Sequence, residues 1–236
     1  MSTSPRAPEF EPRLVEAAVL EAIQGHAREG EFHRERGAAY DVVDPERREA
    51  AFAAIHARWF AKVALDRPFH DALAEQPAVA RACARWLVAA ARAARDEVAD
   101  LLVGPDTGPT LLIRVRPATV AAPGQLIPLL RRELLHVADM IDAAFGYEAA
   151  LPREIAGGPR AHAVRDRYRV LWNSYVDGRL LRRGLLPATV REERIAEFNR
   201  AFPRLGTRTV AAFEEFFDGR RGTHAALLAF ACGEEP

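Results

Sequence analysis

Between residues 99 and 116 the hydrophobic pattern of this chain changes its period. On either side, apolar residues recur at the three-to-four spacing of a helix face. Inside it, Asp100-Leu101-Leu102-Val103-Gly104 and Thr110-Leu111-Leu112-Ile113-Arg114-Val115-Arg116 are short runs containing β-branched residues. The segment between them, Gly104-Pro105-Asp106-Thr107-Gly108-Pro109, cannot continue a helix, because its prolines lack the amide donor and its glycines favour turns. The pattern predicts strand, loop and strand set into an otherwise helical chain. The fold class it implies is α+β, mainly α-helical, with a small β-hairpin or sheet.

The flanking helices follow from proline, glycine and apolar spacing. Glu11 to about Arg36 reads as one helix. Pro45 opens a second to about Leu65, with Phe52, Ile55, His56, Trp59 and Phe60 on its apolar stripe. Pro68 begins a short helix, and Pro77 a long one that reaches about Asp96 through Trp86, Leu87 and Val88. Pro123-Gly124 precedes a helix that should end near Gly146. A polar interval from Leu151 to Gly158 leads to a helix from about Pro159 to Arg183, closed by Gly184. Helices over about Thr189–Phe202 and Thr207–Phe217, and a short one from Thr223, complete the chain. Residues 1–10 are expected to form a disordered tail, and 11–236 a single domain. That domain reads as an N-terminal helical part (11–98), a core (99–184) and C-terminal helices (185–236).

The charge balance narrows the function. Lys+Arg 33 offset Asp+Glu 33, so no net field draws in nucleic acid or an acidic membrane. No apolar run suffices to cross a bilayer, and the start Met1-Ser2-Thr3-Ser4-Pro5-Arg6-Ala7-Pro8 has no apolar signal core. Cys83 and Cys232 are two and far apart, which fits reduced thiols. The expectation is a cytoplasmic protein with no nucleic-acid and no membrane partner.

The helix after Pro123-Gly124 carries Arg131-Arg132-Glu133-Leu134-Leu135-His136-Val137-Ala138-Asp139-Met140-Ile141-Asp142. At about 100° per residue, Arg132, His136, Asp139 and Ala143 share a stripe, with Glu133 and Met140 beside it. Leu130, Leu134, Val137 and Ile141 make a separate apolar stripe for packing. A glutamate three residues before a histidine is part of the H-E-x-x-H pattern. There, two histidines hold Zn²⁺ and the glutamate activates its water. Arg132 occupies the first histidine's place, and a guanidinium has no lone pair to give a metal.

Together with the helix at 159–183, this pattern resembles the gluzincin branch of the zincin metallopeptidases over about residues 100 to 183. In that family the helix after H-E-x-x-H carries E-x-x-x-D. The resemblance puts Glu133 at the general base, His136 at the second histidine, Asn173 at the metal-binding glutamate and Asp177 at the aspartate that supports the first histidine. Asp166, Val170, Asn173 and Asp177 share a stripe, leaving Leu171, Tyr175, Leu180 and Leu181 for the core. The strand pair before the motif helix also suits a zincin, whose sheet edge lies along the substrate cleft.

Arg132 and Asn173 remove two of the three metal ligands, since an amide oxygen is a poor donor to zinc. The resemblance therefore implies a zincin-like domain without bound metal or hydrolysis, in a binding or regulatory role with a peptide or protein partner. No cofactor is expected, or zinc if the site functions. Arg132 would stand in for the dication among Glu133, Asp139, Asp142 and Asp177, and His136 should face Asn173 or Asp177.

Other readings remain open on the residues alone. An active zinc peptidase could keep Glu133 as base and recruit Asp139, His162 or His224 as a ligand. Asp142 stands at the third-ligand position of a longer zincin pattern, but Asp139 replaces the glycine that turns the chain there, so the helix should carry Asp142 away. A di-iron bundle needs a second E-x-x-H. Glu29 and Glu31 precede His33 by four and two residues, and Glu49 precedes His56 by seven. A helical scaffold with a coincidental E-x-x-H would instead use aromatic residues such as Trp59, Phe60, Trp86, Phe213, Phe216 and Phe217 to line a groove.

Overall fold

A computed structural model describes residues 7–104, 108–153 and 155–233. Pro105 to Thr107 of the expected loop, and the first six residues of the expected tail, lie outside the described residues. The class is α+β and mainly helical, as the sequence implies. The chain forms two compact units, 1–134 and 135–236. Each unit buries its own core, one around a sheet and the other around a helix.

The first unit begins with β1 (Glu9–Phe10), followed by α1 (Pro12–Ile23), α2 (Glu29–Ala38), α3 (Pro45–Lys62), α4 (Arg67–Ala74) and α5 (Pro77–Ala82). Then come β2 (Arg85–Ala90), β3 (Val98–Leu102), β4 (Thr110–Val115), α6 (Pro117–Val120) and the start of α7 (Pro123–Ile141). The sheet order is β1-β2-β4-β3, with β3 antiparallel to β4 and the other neighbours parallel. The expected strand, loop and strand are β3 and β4, and β3 is an edge.

Three expectations need correction here. Glu9 and Phe10, assigned to the tail, pair with Leu87 and Val88, and the Phe10 ring lies 4.9 Å from Phe60 and 5.2 Å from Phe69. The helix read over 11–36 is two, because Gly25 takes φ 72° and turns the chain. The long helix read from Pro77 stops at Ala82, and Arg85–Ala90 is a strand. Its alanines favour a helix, but pairing with β1 and β4 buries Trp86 and Val88 on one face. Tertiary pairing outweighs local propensity there.

The second unit takes the end of α7 and adds α8 (Ala161–Arg182), α9 (Thr189–Ala201), α10 (Thr209–Phe217) and α11 (His224–Cys232). The last three all pack on α8, which is buried on nearly every side through its middle. Gly178 makes this possible: a Cβ there would sit 1.9 Å from the Phe217 carbonyl oxygen. Phe198, Phe213, Phe216 and Leu227 fill the core beside α8. α7 ends at Ile141, short of the expected Gly146, and the Asp142 carboxylate accepts from the Ala144 amide at 2.9 Å. That local bond offers the backbone an alternative to another helical turn.

Candidate functional site

The residues singled out on the motif helix belong to different units, and each set has its own surroundings. In the first unit, Arg132 and Glu133 are half-buried. Glu133 Oε2 accepts from the Ala99 amide at 3.1 Å, so the carboxylate is anchored on the edge strand β3. Ala99 sits opposite Ile113, and both are buried. Farther along this strand the side chains come out of the core: Leu102 is 46% exposed and Val103, just beyond it, 74%.

In the second unit the structure brings His136 and Asn173 together. His136 is buried, and its Nε2 lies 3.1 Å from Asn173 Oδ1. Because the amide oxygen can only accept, Nε2 carries the proton in this contact, and its lone pair is not on offer. The imidazole packs on the Trp172 ring at 4.6 Å with the planes nearly perpendicular. Such edge-to-face packing fixes the ring as well as burying it.

Asp139 is buried between two donors. Trp172 Nε1 reaches Oδ2 at 2.9 Å, and Arg179 Nη1 reaches Oδ1 at 2.5 Å. Burial pushes its carboxyl above the usual aspartate range, although Arg179 and the Trp172 hydrogen bond pull the other way. The Arg179 guanidinium in turn lies 5.0 Å from the Tyr175 ring centre. Asp177 is fully buried and accepts from Arg194 Nε at 2.6 Å. Arg194 also holds Glu197. Burial opposes its charge, but the two acids outweigh burial and raise its pKa.

The histidines considered as recruited ligands part company. His162 is exposed. His224 is buried, and its Nδ1 lies 2.8 Å from the Tyr168 hydroxyl, amid the rings of Phe145 and Tyr147. Burial lowers the His224 pKa and raises that of Tyr168, which favours a neutral phenol against a neutral imidazole. Among the described residues, no three His, Cys, Asp or Glu side chains gather closely enough to hold a metal ion.

Sequence reasoning did not assign Arg179, Arg194 or Trp172 to the site. Trp172 carried a signal, lying next to Asn173 and one helical turn from Tyr168 and Tyr175. Arg194 carried none, because its partnership with Asp177 exists only once α9 packs on α8. Comparison with protein-family models, with curated protein sequences and with solved structures finds no match.

Proposed function

We propose that this chain is a zincin-like metallopeptidase homologue that has given up metal-dependent hydrolysis and acts by binding an extended peptide or protein segment. The observation that carries this reading is the pair His136 and Asn173. Their 3.1 Å separation is a hydrogen bond, and it is also near the roughly 3.3 Å between two ligands on one tetrahedral zinc. The pair thus has the spacing of neighbouring ligands, with a proton between them in place of an ion. The donor set does not fit zinc: the imidazole spends Nε2 on an amide, the third ligand is that neutral amide, and Arg132 offers no lone pair.

The order of elements supports the same ancestry, with an antiparallel edge strand ahead of the motif helix and a long helix after it. Glu133 is bonded to the backbone of that edge strand. Exposed Leu102 and Val103 favour a partner in extended conformation, since an edge strand takes up such a segment through its main chain and apolar side chains.

Zinc titration of the protein and of the double variant Arg132→His/Asn173→Asp is the test. The unaltered chain should retain no zinc through dialysis, and the double variant should bind it stoichiometrically. Zinc retained by the unaltered chain, with ligands at about 2 Å, would establish a working metal centre. A double variant indifferent to zinc would remove the zincin ancestry.

A further inference from the structure

β3 lies at the edge of its sheet, and its register with β4 shows which of its main-chain groups face outward. In an antiparallel ladder, residues alternate: one points both N–H and C=O at the partner strand, and the next points both away. The Ala99 amide goes to the Glu133 carboxylate and not to Ile113, the β4 residue opposite it. Ala99 and Leu101 therefore face the open edge, while Val98, Asp100 and Leu102 face β4.

Two other glutamates hold strand amides, and the contrast with them is informative. Glu11 takes the amide of Ala90, the last residue of β2, at 2.9 Å. Glu97 takes that of Arg116, just past the end of β4, at 3.0 Å. Each meets its strand where the strand ends. Glu133 instead takes an amide inside a strand, with Val98 before it and Asp100 after it both paired to β4. Neighbouring strands lie about 4.8 Å apart along their hydrogen bonds. An acceptor 3.1 Å from an outward-facing amide thus stands where the carbonyl of an added strand would stand.

We infer that Glu133 is an autoinhibitory plug on the edge of β3. Its carboxylate takes the place of a main-chain carbonyl, so an extended segment that adds to Ala99 and Leu101 must displace it. Glu133 then sets how tightly a partner pairs, through the acceptor it offers to Ala99. This rests on the binding of an extended segment proposed above, and it uses none of the metal chemistry.

The probe is a capped hexapeptide with the sequence of residues 110–115, the strand that β3 already accepts on its other side. In calorimetric titration of the whole chain it should bind Glu133→Ala about tenfold more tightly than the unaltered protein. Glu133→Gln keeps an acceptor oxygen and should stay close to the unaltered protein. Hydrogen exchange at the Ala99 amide reads the plug without any peptide. It should be slow in the unaltered protein and in Glu133→Gln, fast in Glu133→Ala, and slow again once the peptide is bound. Unchanged Ala99 exchange in Glu133→Ala, or equal peptide affinity in that variant and the unaltered protein, would overturn the plug and leave β3 a docking strand. Binding by none of the three forms would remove the docking edge itself, and the plug with it. Dimerisation of Glu133→Ala without peptide would put a second copy of β3 in that place and overturn the extended partner.

Discussion

A fully buried carboxylate is costly to keep, and Asp177 is kept by the guanidinium of Arg194. Removing one partner of such a pair leaves the other charge in a medium that solvates it poorly. Arg194→Ala should therefore destabilise the protein by about 3–5 kcal/mol, read as a shift in the denaturant midpoint. Arg194→Lys should recover only part of this, since an ammonium lacks the fork that reaches Asp177 and Glu197 together. An unchanged midpoint in Arg194→Ala would mean that the pair holds nothing in place. This scale also divides what the sequence makes visible from what it hides. His136 and Asn173 each lie on a stripe that helix periodicity predicts, and the resemblance to the gluzincin pattern is what set one against the other. The partners of Asp139 and Asp177 cannot, since Trp172 and Arg179 depend on how α8 turns toward Asp139 and Arg194 on where α9 lands.

At the scale of elements, α8 and α10 meet at a point where only a hydrogen atom fits. Gly178→Ala should raise stability by up to about 1 kcal/mol if helix propensity decided the matter. The Phe217 carbonyl oxygen, 1.9 Å from the new Cβ, reverses that sign. The expected loss is about 3 kcal/mol or more, at the upper end of overpacking, measured by chemical unfolding. A stabilised variant would show that α8 and α10 stand farther apart. The elements also explain where sequence reading failed. The β3–β4 hairpin was legible because proline and glycine bracket it and its runs are β-branched. β2 was not, because Ala80, Ala82, Ala84, Ala89, Ala90 and Ala91 around it favour a helix, and its strand character comes from neighbours 78 residues before and 25 after, as in Glu9 beside Leu87 and Thr110 beside Arg85.

The molecule as a whole should respond to acid through two histidines whose pKa burial lowers, His56 in the first unit and His224 in the second. The unfolded chain then takes up protons more readily than the folded one. The stability these residues contribute is present above the ordinary histidine range and is lost as pH falls through it toward the lowered values. Asp139 acts with the opposite sign: its raised pKa gives stability at low pH that is lost as pH rises above the ordinary aspartate range. Two histidines against one aspartate should lower the melting temperature between about pH 7 and 5. His56→Leu should flatten that slope and Asp139→Asn should steepen it. A melting temperature independent of pH in this interval would contradict the assignment.

Among the described residues, β1 covers only Leu87 and Val88 on the outer side of β2. Around that short cover stand Glu9, bound to Arg85 at 2.6 Å, and Glu11, whose carboxylate takes the Ala90 amide at 2.9 Å. A strand from another molecule approaching this flank meets ionised groups and an already occupied amide before it meets free backbone. Colloidal stability on this side of the sheet is thus a matter of charge more than of chain, which is how edge strands escape growth into fibres.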